Sequence, residues 1–504
     1  MLFELNRENH IPLYAQIVVQ VRDMINKGAL RVGDRLPANR ELAKSLGVNR
    51  TTVSTAYAEL AADGLITSQV GRGTFISGVP AIRARREDRA QPPSMPWAAL
   101  LTEQRRENWL DGMLMANPSG GNISLAYSLP SADMFPLDDF RKCVDRVMRR
   151  EGRSLLQLGR SSGYEPLREH LSVQMALMGV KAEPEEILIT NGCQQSLDLI
   201  RQILVGPDDE VALENPTYPG ALGIFCGPAS KYVSVPVTEQ GMDLDVLEDI
   251  LSQRRPKLIY TIPSFHNPTG ATMGMQARRR LIELAIRHRV PIVEDDIYGE
   301  MRYEGAMLPP LKALDEYGIV IYINSFSKVS FPGLRVGWVV APRMVIDHLN
   351  RAKERSDLHA SLMTQAAIHE FSRHGLLARH IKRVKRAYAE RRDCMLGALE
   401  GHFPDEARWN MPEGGMAFWV ELPEHLSASQ VLLQAAEQGV IFSPGEAFYC
   451  SLPRQNMMRL SFTMASPPLI EEAIKRLGRV IEARMSSLKK QKGLHRAEAY
   501  RALV

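Results

Sequence analysis

The sequence predicts an α/β protein, in which a small helical unit with a β-hairpin precedes a large unit built on a mostly parallel sheet. Three observations support this prediction. Residues 1–78 show helical periodicity followed by a hairpin pattern, residues 118–486 alternate short apolar runs with helical stretches, and a charged, proline-rich stretch separates them. A chain of 504 residues is also long enough for more than one folding unit.

The composition is that of an ordinary folded protein, with 45% hydrophobic and 24% charged residues. It excludes the disordered, collagen-like and disulfide-scaffold classes, and no run of 18 apolar residues predicts a membrane span. The five cysteines are scattered without a CxxC pair, which argues against a metal or redox site and favours a reducing cytoplasm. A net charge of +4 neither requires nor excludes binding to nucleic acid.

Three helices and a hairpin are predicted in the N-terminal unit. The first helix has one apolar face, formed by Tyr14, Ile17, Val18, Val21 and Ile25. The second helix follows a turn at residues 33–37 and stops at Gly47 as its C′ residue. Asn49 is suited to N-cap the third helix. Residues 65–77 then predict two strands joined by a Gly-Arg-Gly turn.

Helix, turn, helix and wing in this order are typical of a winged helix-turn-helix, whose third helix enters the major groove of DNA. Arg50, Thr51 and Thr52 would begin that helix, and these residue types bind guanine, phosphate and the thymine methyl group. Arg40 and Arg72 are placed for phosphate or minor-groove contact. The first 80 residues hold nine Lys and Arg against seven Asp and Glu, so a protein-interaction module stays open as an alternative.

A linker is predicted at residues 79–117, where the first part is charged and rich in proline and shows no apolar period. The 19 residues from Gly78 to Pro96 would span about 24 Å as a flexible chain. Residues 97–115 are more apolar, and we expect them to form a helix that docks on the large unit.

Short apolar runs in the large unit predict the buried strands of a largely parallel sheet, with helices such as residues 276–288 between them. The runs lie at residues 186–190, 210–215, 231–237, 257–263, 291–296, 319–325 and 337–342. The domain itself is expected to end at residue 486. Residues 487–504 begin with basic residues and are expected to form a frayed C-terminal tail.

Lys328 follows one of these runs, at the carboxyl edge of the sheet where α/β proteins place their sites. A lysine forms a Schiff base only when its amine is deprotonated and held beside a carbonyl. Ser325, Ser327 and Arg335 flank it and can hold a phosphate. A surface lysine is the alternative for this residue alone, but its neighbours favour a pyridoxal phosphate site.

Two further segments supply groups for the ring of that cofactor. A pyridinium nitrogen stays protonated only beside a buried carboxylate, and Asp295 ends a predicted buried strand. Tyr298 and Asn267 can reach the phenolic oxygen of the ring. A helix cap and a turn are the alternatives for these two segments.

Three more candidates complete the site. Gly192, Cys193 and Gln194 follow a predicted strand and open a helix, whose backbone N–H groups bind phosphate. Tyr218 offers a ring that stacks on the cofactor, although a core or interface tyrosine fits the sequence equally well. Arg459 could hold a substrate carboxylate in a two-bond fork, and a surface ion pair is its alternative.

The N-terminal unit resembles the GntR-type winged-helix domain over nearly its whole length. The matching motifs are LP-x-x-RELA, LGV-x-RTTV, A-Y-x-x-L, DGL and the G-x-GTF wing. The resemblance implies DNA binding, and it adds the wing glycines Gly71 and Gly73 to the arginines and threonines named above.

The large unit resembles the fold-type I aminotransferases over roughly residues 120–485. The resemblance implies a pyridoxal phosphate site at a dimer interface. It assigns Lys328 to the covalent bond with the cofactor, Asp295 to the ring nitrogen, Asn267 and Tyr298 to the ring oxygen and Arg459 to the α-carboxylate. One position departs from the family, which usually has a tyrosine five residues before Gly163 that reaches the cofactor phosphate of the partner subunit. This chain has Leu158 there, so cofactor binding is better supported than transaminase turnover.

A GntR-type domain joined by a linker to an aminotransferase-like domain resembles the MocR subfamily of bacterial regulators over almost the whole chain. This resemblance implies a homodimeric, DNA-binding transcription regulator that senses an amino compound or pyridoxal phosphate itself. An active aminotransferase with an appended DNA-binding domain is the rival hypothesis. A third hypothesis, an empty and purely structural large domain, is disfavoured by the complete set of cofactor residues.

Overall fold

The structure is a computed structural model that describes residues 5, 12–26, 29–69, 72–77, 121–227 and 230–501. The chain forms two compact units, Met1–Thr102 and Glu103–Val504, which are described separately. The predicted linker and docking helix at residues 79–117 and the wing residue Gly71 lie outside the described residues.

The small unit consists of helices and a three-stranded antiparallel sheet, as the periodicity predicts. Its elements are α1 (Leu13–Asn26), β1 (Arg35–Leu36), α2 (Asn39–Leu46), α3 (Arg50–Ala62), β2 (Ile66–Gln69) and β3 (Gly73–Ile76), in the sheet order β1-β3-β2. Gly47 ends α2 in the left-handed conformation with φ of 60°. Asn49 caps α3 by accepting a hydrogen bond from the Thr51 N–H at 3.4 Å. Both predicted caps are confirmed.

The core of the small unit is formed by the predicted apolar faces of its helices. Its buried members include Ile17, Val18, Val21, Leu42, Ala43, Val53, Ala56, Tyr57 and Leu60. The hydroxyl of Tyr57 donates to the Pro37 carbonyl at 2.9 Å and ties α3 to the segment that precedes α2. The sequence predicts only a turn before α2, but Leu36 there pairs with Thr74 of β3 and forms the short strand β1.

Helices of the large unit cover its central sheet. In the described part of the chain they are α4 (Leu137–Leu155), α5 (Glu165–Leu177), α6 (Cys193–Leu204), α7 (Pro219–Phe225), α8 (Leu244–Gln253), α9 (Met275–His288), α10 (Arg343–Asp357), α11 (Leu362–Arg373), α12 (Leu376–His402), α13 (Ala428–Glu437) and α14 (Pro467–Arg501). Helix α14 includes residues 487–501 of the expected C-terminal tail, so the chain continues there as a helix. No helix in the described residues is long and apolar enough to cross a membrane.

Strands of the large unit form one large sheet and two smaller ones. They are β4 (Ile123–Ser124), β5 (Ile187–Thr190), β6 (Glu210–Asn215), β7 (Lys231–Thr238), β8 (Gly241–Met242), β9 (Leu258–Thr261), β10 (Ile292–Asp295), β11 (Val320–Ser325), β12 (Gly337–Val340), β13 (Arg408–Trp409), β14 (Ala417–Glu421), β15 (Val440–Ile441), β16 (Ser443–Pro444) and β17 (Met457–Ser461). The large sheet has the order β5-β12-β11-β10-β9-β6-β7-β8. All seven predicted apolar runs form strands in it.

The direction of the strands determines where a site can form. Strands β7, β6, β9, β10 and β11 are parallel, and β12 is antiparallel to both β11 and β5. The predicted, mostly parallel sheet is confirmed. Because β5, β6, β9, β10 and β11 point the same way, their carboxyl ends meet at one edge of the sheet. The smaller sheet β13-β14-β17-β16 and the pair β15-β4 complete the unit.

Candidate functional site

One edge of the large sheet collects the predicted cofactor residues. Gly192, Cys193 and Gln194 follow β5, Tyr218 follows β6, Asn267 follows β9, Asp295 ends β10 ahead of Tyr298, and Ser325 ends β11 ahead of Ser327 and Lys328. Two arginines come from other strands: Arg335 precedes the antiparallel strand β12, and Arg459 lies on β17 of the smaller sheet. The contacts described below join these residues into one site.

Lys328 has the properties of a nucleophilic amine. Its Nζ donates to the Ser128 carbonyl at 2.7 Å and lies 5.7 Å from the centroid of the Tyr298 ring. Burial, reinforced by the Arg459 cation, lowers the pKa of the amine from 10.5 to about 8. At pH 7 about a tenth of the amine is then uncharged, whereas an ordinary lysine is almost wholly protonated. Lys328 is half-buried, and its amine is hydrogen-bonded within the large unit, which disfavours the alternative of a surface lysine.

Asp295 is a buried carboxyl with one unsatisfied oxygen. Its Oδ2 accepts a hydrogen bond from the Tyr260 hydroxyl at 2.9 Å, while Oδ1 has no partner of normal geometry among the described residues. Burial raises its pKa from 3.8 to about 7, and the Ile297 N–H is close enough to favour the charged form. An unpaired carboxylate oxygen is costly in such a place unless a donor meets it. A protonated pyridine nitrogen is such a donor, so Asp295 fits the ring of pyridoxal phosphate.

The turn between β5 and α6 forms a cradle of the kind that holds phosphate. Gly192 has φ of 89°, a backbone conformation that a residue with a side chain rarely adopts, and a Cβ there would lie 2.8 Å from Nη2 of Arg335. A Cβ on Gly337 would lie 2.8 Å from Gly192 Cα. Nη2 of Arg335 donates to the Asn191 carbonyl at 3.0 Å. Burial raises the pKa of the Cys193 thiol, which stays neutral beside the N-terminal N–H groups of α6.

The side chain of Gln194 positions Tyr218, the residue predicted to stack on the cofactor. Its Nε2 donates to the Gly220 carbonyl at 3.0 Å, and its Oε1 accepts the Tyr218 hydroxyl at 3.2 Å. Only the backbone N–H of Gln194 is therefore suited to the phosphate. On the opposite wall the Ser325 hydroxyl oxygen accepts the Ser327 N–H at 3.3 Å, which fixes the start of the Lys328 loop.

Arg459 lies in the interior of the protein, which contradicts the alternative of a surface ion pair. It is 8% exposed, and no carboxylate in the described part of the chain lies within ion-pair distance. Its Nη1 donates to Asn267 Oδ1 at 2.8 Å, its Nη2 donates to the Ala126 carbonyl at 2.6 Å, and its carbon Cζ lies 4.7 Å from the Phe448 ring centroid. Its Nε, by contrast, has no hydrogen-bond partner among the described residues. A buried cation with an unpaired donor is suited to bind a carboxylate.

The structure adds residues that the motifs do not single out. Tyr260 holds Asp295, Ser128 contacts Lys328, and Phe448 stacks on Arg459. A tyrosine inside a buried strand indicates that its hydroxyl has a polar partner, but the sequence does not show which residue that partner is. Ser128 contacts the lysine through its backbone carbonyl, which no side-chain motif reveals.

The small unit presents the candidate DNA contacts on its surface. Arg40 is the second residue of α2, Arg50 begins α3, and Thr51 and Thr52 follow in the first turn of α3. Arg72 and Gly73 belong to the wing. Arg40, Arg50, Thr51 and Arg72 are exposed, and Thr52 is half-buried. Arg35 on β1 is a further cation of this surface, because a Cβ on Gly73 would lie 2.8 Å from its Nε.

Leu158 lies on the surface of the large unit and is 80% exposed. Its loop is anchored to neighbouring helices, since Ser161 donates to Glu354 Oε1 at 2.7 Å and a Cβ on Gly159 would lie 2.5 Å from Leu362. A leucine has no hydroxyl, so the side chain at this position cannot donate a hydrogen bond to a phosphate.

Two family models together match most of the chain. The model of class I and II aminotransferases matches residues 126–477, and that of the gntR family of bacterial regulatory proteins matches residues 13–76. Among curated proteins, the chain is 32% identical over 480 residues to the probable rhizopine catabolism regulatory protein MocR of Rhizobium meliloti, with 94% of each chain covered. It is also 36% identical over 413 residues to aromatic-amino-acid aminotransferase 1 of Thermococcus litoralis, covering 80% of this chain and 99% of that protein.

A solved structure supports the same assignment for the large unit. It is LysN, the α-aminoadipate aminotransferase of Thermus thermophilus, complexed with N-(5'-phosphopyridoxyl)-L-leucine. The TM-score is 0.71 at 36% identity, and the match covers 78% of this chain and 100% of that one. The combination of a DNA-binding unit with this pyridoxal phosphate fold shows that the chain belongs to the MocR-like group of GntR-family transcription regulators.

Proposed function

We propose that this DNA-binding regulator binds an amino compound in its aminotransferase-like domain and converts that binding into a change of operator affinity. The observation that carries the proposal is the Lys328 amine, whose pKa is lowered to about 8, in the same site as the buried Arg459 guanidinium. When pyridoxal phosphate is bound, Lys328 would hold its carbonyl group. A carbonyl that an amino group can attack, beside a guanidinium that binds a carboxylate, is what covalent recognition of an amino acid requires. The gntR-family domain in the same chain supplies the readout.

The side chains of the large unit divide the work of binding. Pyridoxal phosphate, when bound, supplies an electrophilic carbonyl and an electron-withdrawing ring. Arg335 and the N-terminus of α6 would hold the phosphate, Asp295 would keep the proton on the ring nitrogen, and Tyr218 would pack against the ring. Lys328 would take up or release a proton at Nζ. Arg459 would bind the carboxylate of the effector and orient its amine toward the cofactor carbonyl.

The remaining site assignments belong to the same proposal. Gly192, Cys193, Gln194, Ser325 and Ser327 line the phosphate cradle, Asn267 and Tyr298 meet the ring oxygen, and Arg40, Arg50, Thr51, Thr52, Gly71, Arg72 and Gly73 contact DNA. The contacts of Asn267 support its proposed role. Arg459 donates to Oδ1 of Asn267, so the amide N–H groups of Asn267 can donate to the ring oxygen.

An active aminotransferase is the second candidate function. It is favoured by the lysine, aspartate and arginine together in one site and by the 36% identity to an aromatic-amino-acid aminotransferase. Leu158 disfavours it, because a leucine cannot hydrogen-bond a phosphate across a subunit interface. Leu158→Tyr should tighten cofactor binding, and a rise in steady transamination would support the enzyme.

We further propose a homodimer that works in the cytoplasm, where its DNA lies. The likeness of the large unit to class I and II aminotransferases supports the dimer, because the resemblance places the cofactor site at a dimer interface. A dimer also carries two linked DNA-binding domains. Binding of the first raises the effective concentration of the second at the DNA, so the dimer binds more tightly than one domain alone. The proposed boundaries are residues 1–78 for DNA binding, 79–117 for the linker and docking helix, and 118–486 for the cofactor domain. The basic segment at residues 487–504 contributes to α14 as far as Arg501.

The test is a reciprocal titration on the full-length chain. A panel of amino acids and amines, and pyridoxal phosphate itself, is titrated with and without operator DNA, and cofactor absorbance reports binding. Linkage requires that a compound changes operator affinity by the same factor by which the operator changes its own affinity. A compound that is turned over steadily while operator affinity stays constant would leave the enzyme as the better description.

A further inference from the structure

One short backbone segment engages both groups that would recognise an amino acid. Nη2 of Arg459 donates to the Ala126 carbonyl at 2.6 Å, and Nζ of Lys328 donates to the Ser128 carbonyl at 2.7 Å. Tyr127 stands between these two carbonyls, and Arg459 is close enough to lower the pKa of its hydroxyl, which burial raises to about 12. We call residues 126–128 the strap.

Contacts outside the site hold the two flanks of the strap. Before it, the Leu125 N–H donates to the Ile441 carbonyl at 2.7 Å, and β4 pairs with β15. After it, the Thr463 hydroxyl donates to the Leu129 carbonyl at 2.7 Å. The strap itself is held at Ala126 by Arg459 and by the Ser443 hydroxyl, which donates to the same carbonyl at 2.8 Å. The middle of the segment thus depends on the groups that an effector would use.

The geometry of the guanidinium makes the strap and a carboxylate competitors. Nη2 of Arg459 donates to Ala126 at 2.6 Å and to the Ser443 hydroxyl at 3.4 Å, so both of its N–H bonds are engaged. A carboxylate can be held in a fork either by Nη1 with Nη2 or by Nε with Nη2. Both forks contain Nη2, and Nε is a buried donor without a partner among the described residues. A carboxylate accepts more strongly than a peptide carbonyl, and would satisfy Nε as it displaces Ala126.

We infer that the strap transmits effector binding: a ligand carboxylate takes Arg459 from Ala126, and the released strap passes the change to the chain that leads to the DNA-binding unit. Only residues 118–125 separate the strap from the predicted linker at residues 79–117. The effector is therefore an amino acid whose carboxylate reaches Arg459 while its amine reaches the cofactor carbonyl that Lys328 would hold. A simple amine can react at that carbonyl, in place of the Lys328 amine, but leaves the Arg459–Ala126 bond intact. This inference rests on the effector site of the proposed function.

The experiment measures amide hydrogen exchange over residues 121–131 together with operator affinity, on the full-length protein carrying its cofactor. Arg459→Gln and Ser443→Ala each remove a donor to the Ala126 carbonyl. Ser172→Ala is the matched control, because it removes a serine hydroxyl that donates to the Ala182 carbonyl at 2.6 Å, outside the site and the strap. Arg459→Gln should speed exchange about tenfold or more, as expected for the loss of a hydrogen bond to a charged group, and should change operator affinity. Ser443→Ala should show a smaller effect in the same direction, and Ser172→Ala should match wild type in strap exchange.

A pair of ligands that differ only by the carboxylate gives the second arm. L-Leucine and 3-methylbutylamine carry the same side chain and the same amine, and saturation is followed by cofactor absorbance. The amino acid should speed strap exchange, and the amine should not. Exchange at the wild-type rate in both Arg459→Gln and Ser443→Ala would overturn the inference. If exchange is faster in these variants while operator affinity is unchanged, the strap does not transmit effector binding to the DNA-binding unit, and the inference is wrong. If a compound changes operator affinity while the strap amides stay protected from exchange, the strap has no part in transmission. The proposed function would still hold.

Discussion

Replacing Asp295 by asparagine should stabilise the cofactor-free protein at neutral pH. Burial raises the pKa of this carboxyl from 3.8 to about 7, against the opposing hydrogen bond from Tyr260. The folded state therefore prefers the neutral acid, so the contribution of Asp295 to stability falls as the pH rises from about 4 to about 7, and stays low above that. A displacement of about three pKa units corresponds to roughly 4 kcal/mol at pH 8. An amide keeps an oxygen for the Tyr260 hydroxyl and carries no charge.

Urea unfolding of wild type and Asp295→Asn at pH 5 and pH 8, followed by tryptophan fluorescence, measures this difference. The stability advantage of the variant should grow by about 2–3 kcal/mol between the two pH values, because the buried carboxyl is more fully ionised at pH 8. Tyr260→Phe is the companion variant. This variant keeps the Asp295 carboxyl but removes the hydroxyl that favours its charged form, so the pKa of Asp295 should rise further. The fall in stability with rising pH should then extend to higher pH than in wild type.

Asp295→Asn should weaken cofactor binding, although it should stabilise the cofactor-free protein. The ring nitrogen can donate to the unpartnered Oδ1 of Asp295, so wild type should bind pyridoxal phosphate more tightly than Asp295→Asn. The reasoning is refuted if the advantage of the amide variant is the same at pH 5 and pH 8. It is also refuted if both proteins bind the cofactor equally, because the carboxylate would then not face the ring nitrogen.

Three further predictions concern the cofactor bond, DNA and assembly. Borohydride should fix the cofactor on Lys328 of wild type, and Lys328→Ala should show no fixed cofactor by peptide mass analysis; labelling of another lysine would contradict the assignment. Arg50→Ala should cost about 1–3 kcal/mol of specific operator affinity, whereas Arg72→Ala should weaken binding evenly and flatten its salt dependence; equal affinities for all three proteins would exclude both roles. Sedimentation at micromolar concentration should give near twice the mass of one chain, and a monomer with full operator and cofactor binding would rule out the dimer.

Much of the candidate site could be predicted because its residues lie next to recognisable local signals. Lys328, Asp295 and Gly192 each come at or just after a strand that an apolar run announces, and parallel strands bring their carboxyl ends to one edge. The caps at Gly47 and Asn49 could be predicted for the same reason, since a cap depends on only a few neighbouring residues.

Other parts of the site depend on contacts between distant segments. The bond between Lys328 and Ser128 joins residues 200 apart in sequence, and that between Arg459 and Ala126 joins residues 333 apart. Both involve backbone carbonyls, which every residue carries, so no side-chain pattern distinguishes them. Tyr260 reads as one more apolar position of a buried strand, and only the neighbouring strand brings its hydroxyl to Asp295.

The sequence by itself determined which elements form and which residue types come to the sheet edge, because hydrophobic periodicity, capping and strand direction are local properties. The tertiary structure determined the pKa values of those groups. Burial lowers the pKa of Lys328 and raises that of Asp295, since an ion loses the solvation of water and regains it only from neighbours that folding supplies. The tertiary structure also determined which group accepts a hydrogen bond from Arg459. A buried guanidinium needs an acceptor, and the fold brings the Ala126 carbonyl within reach.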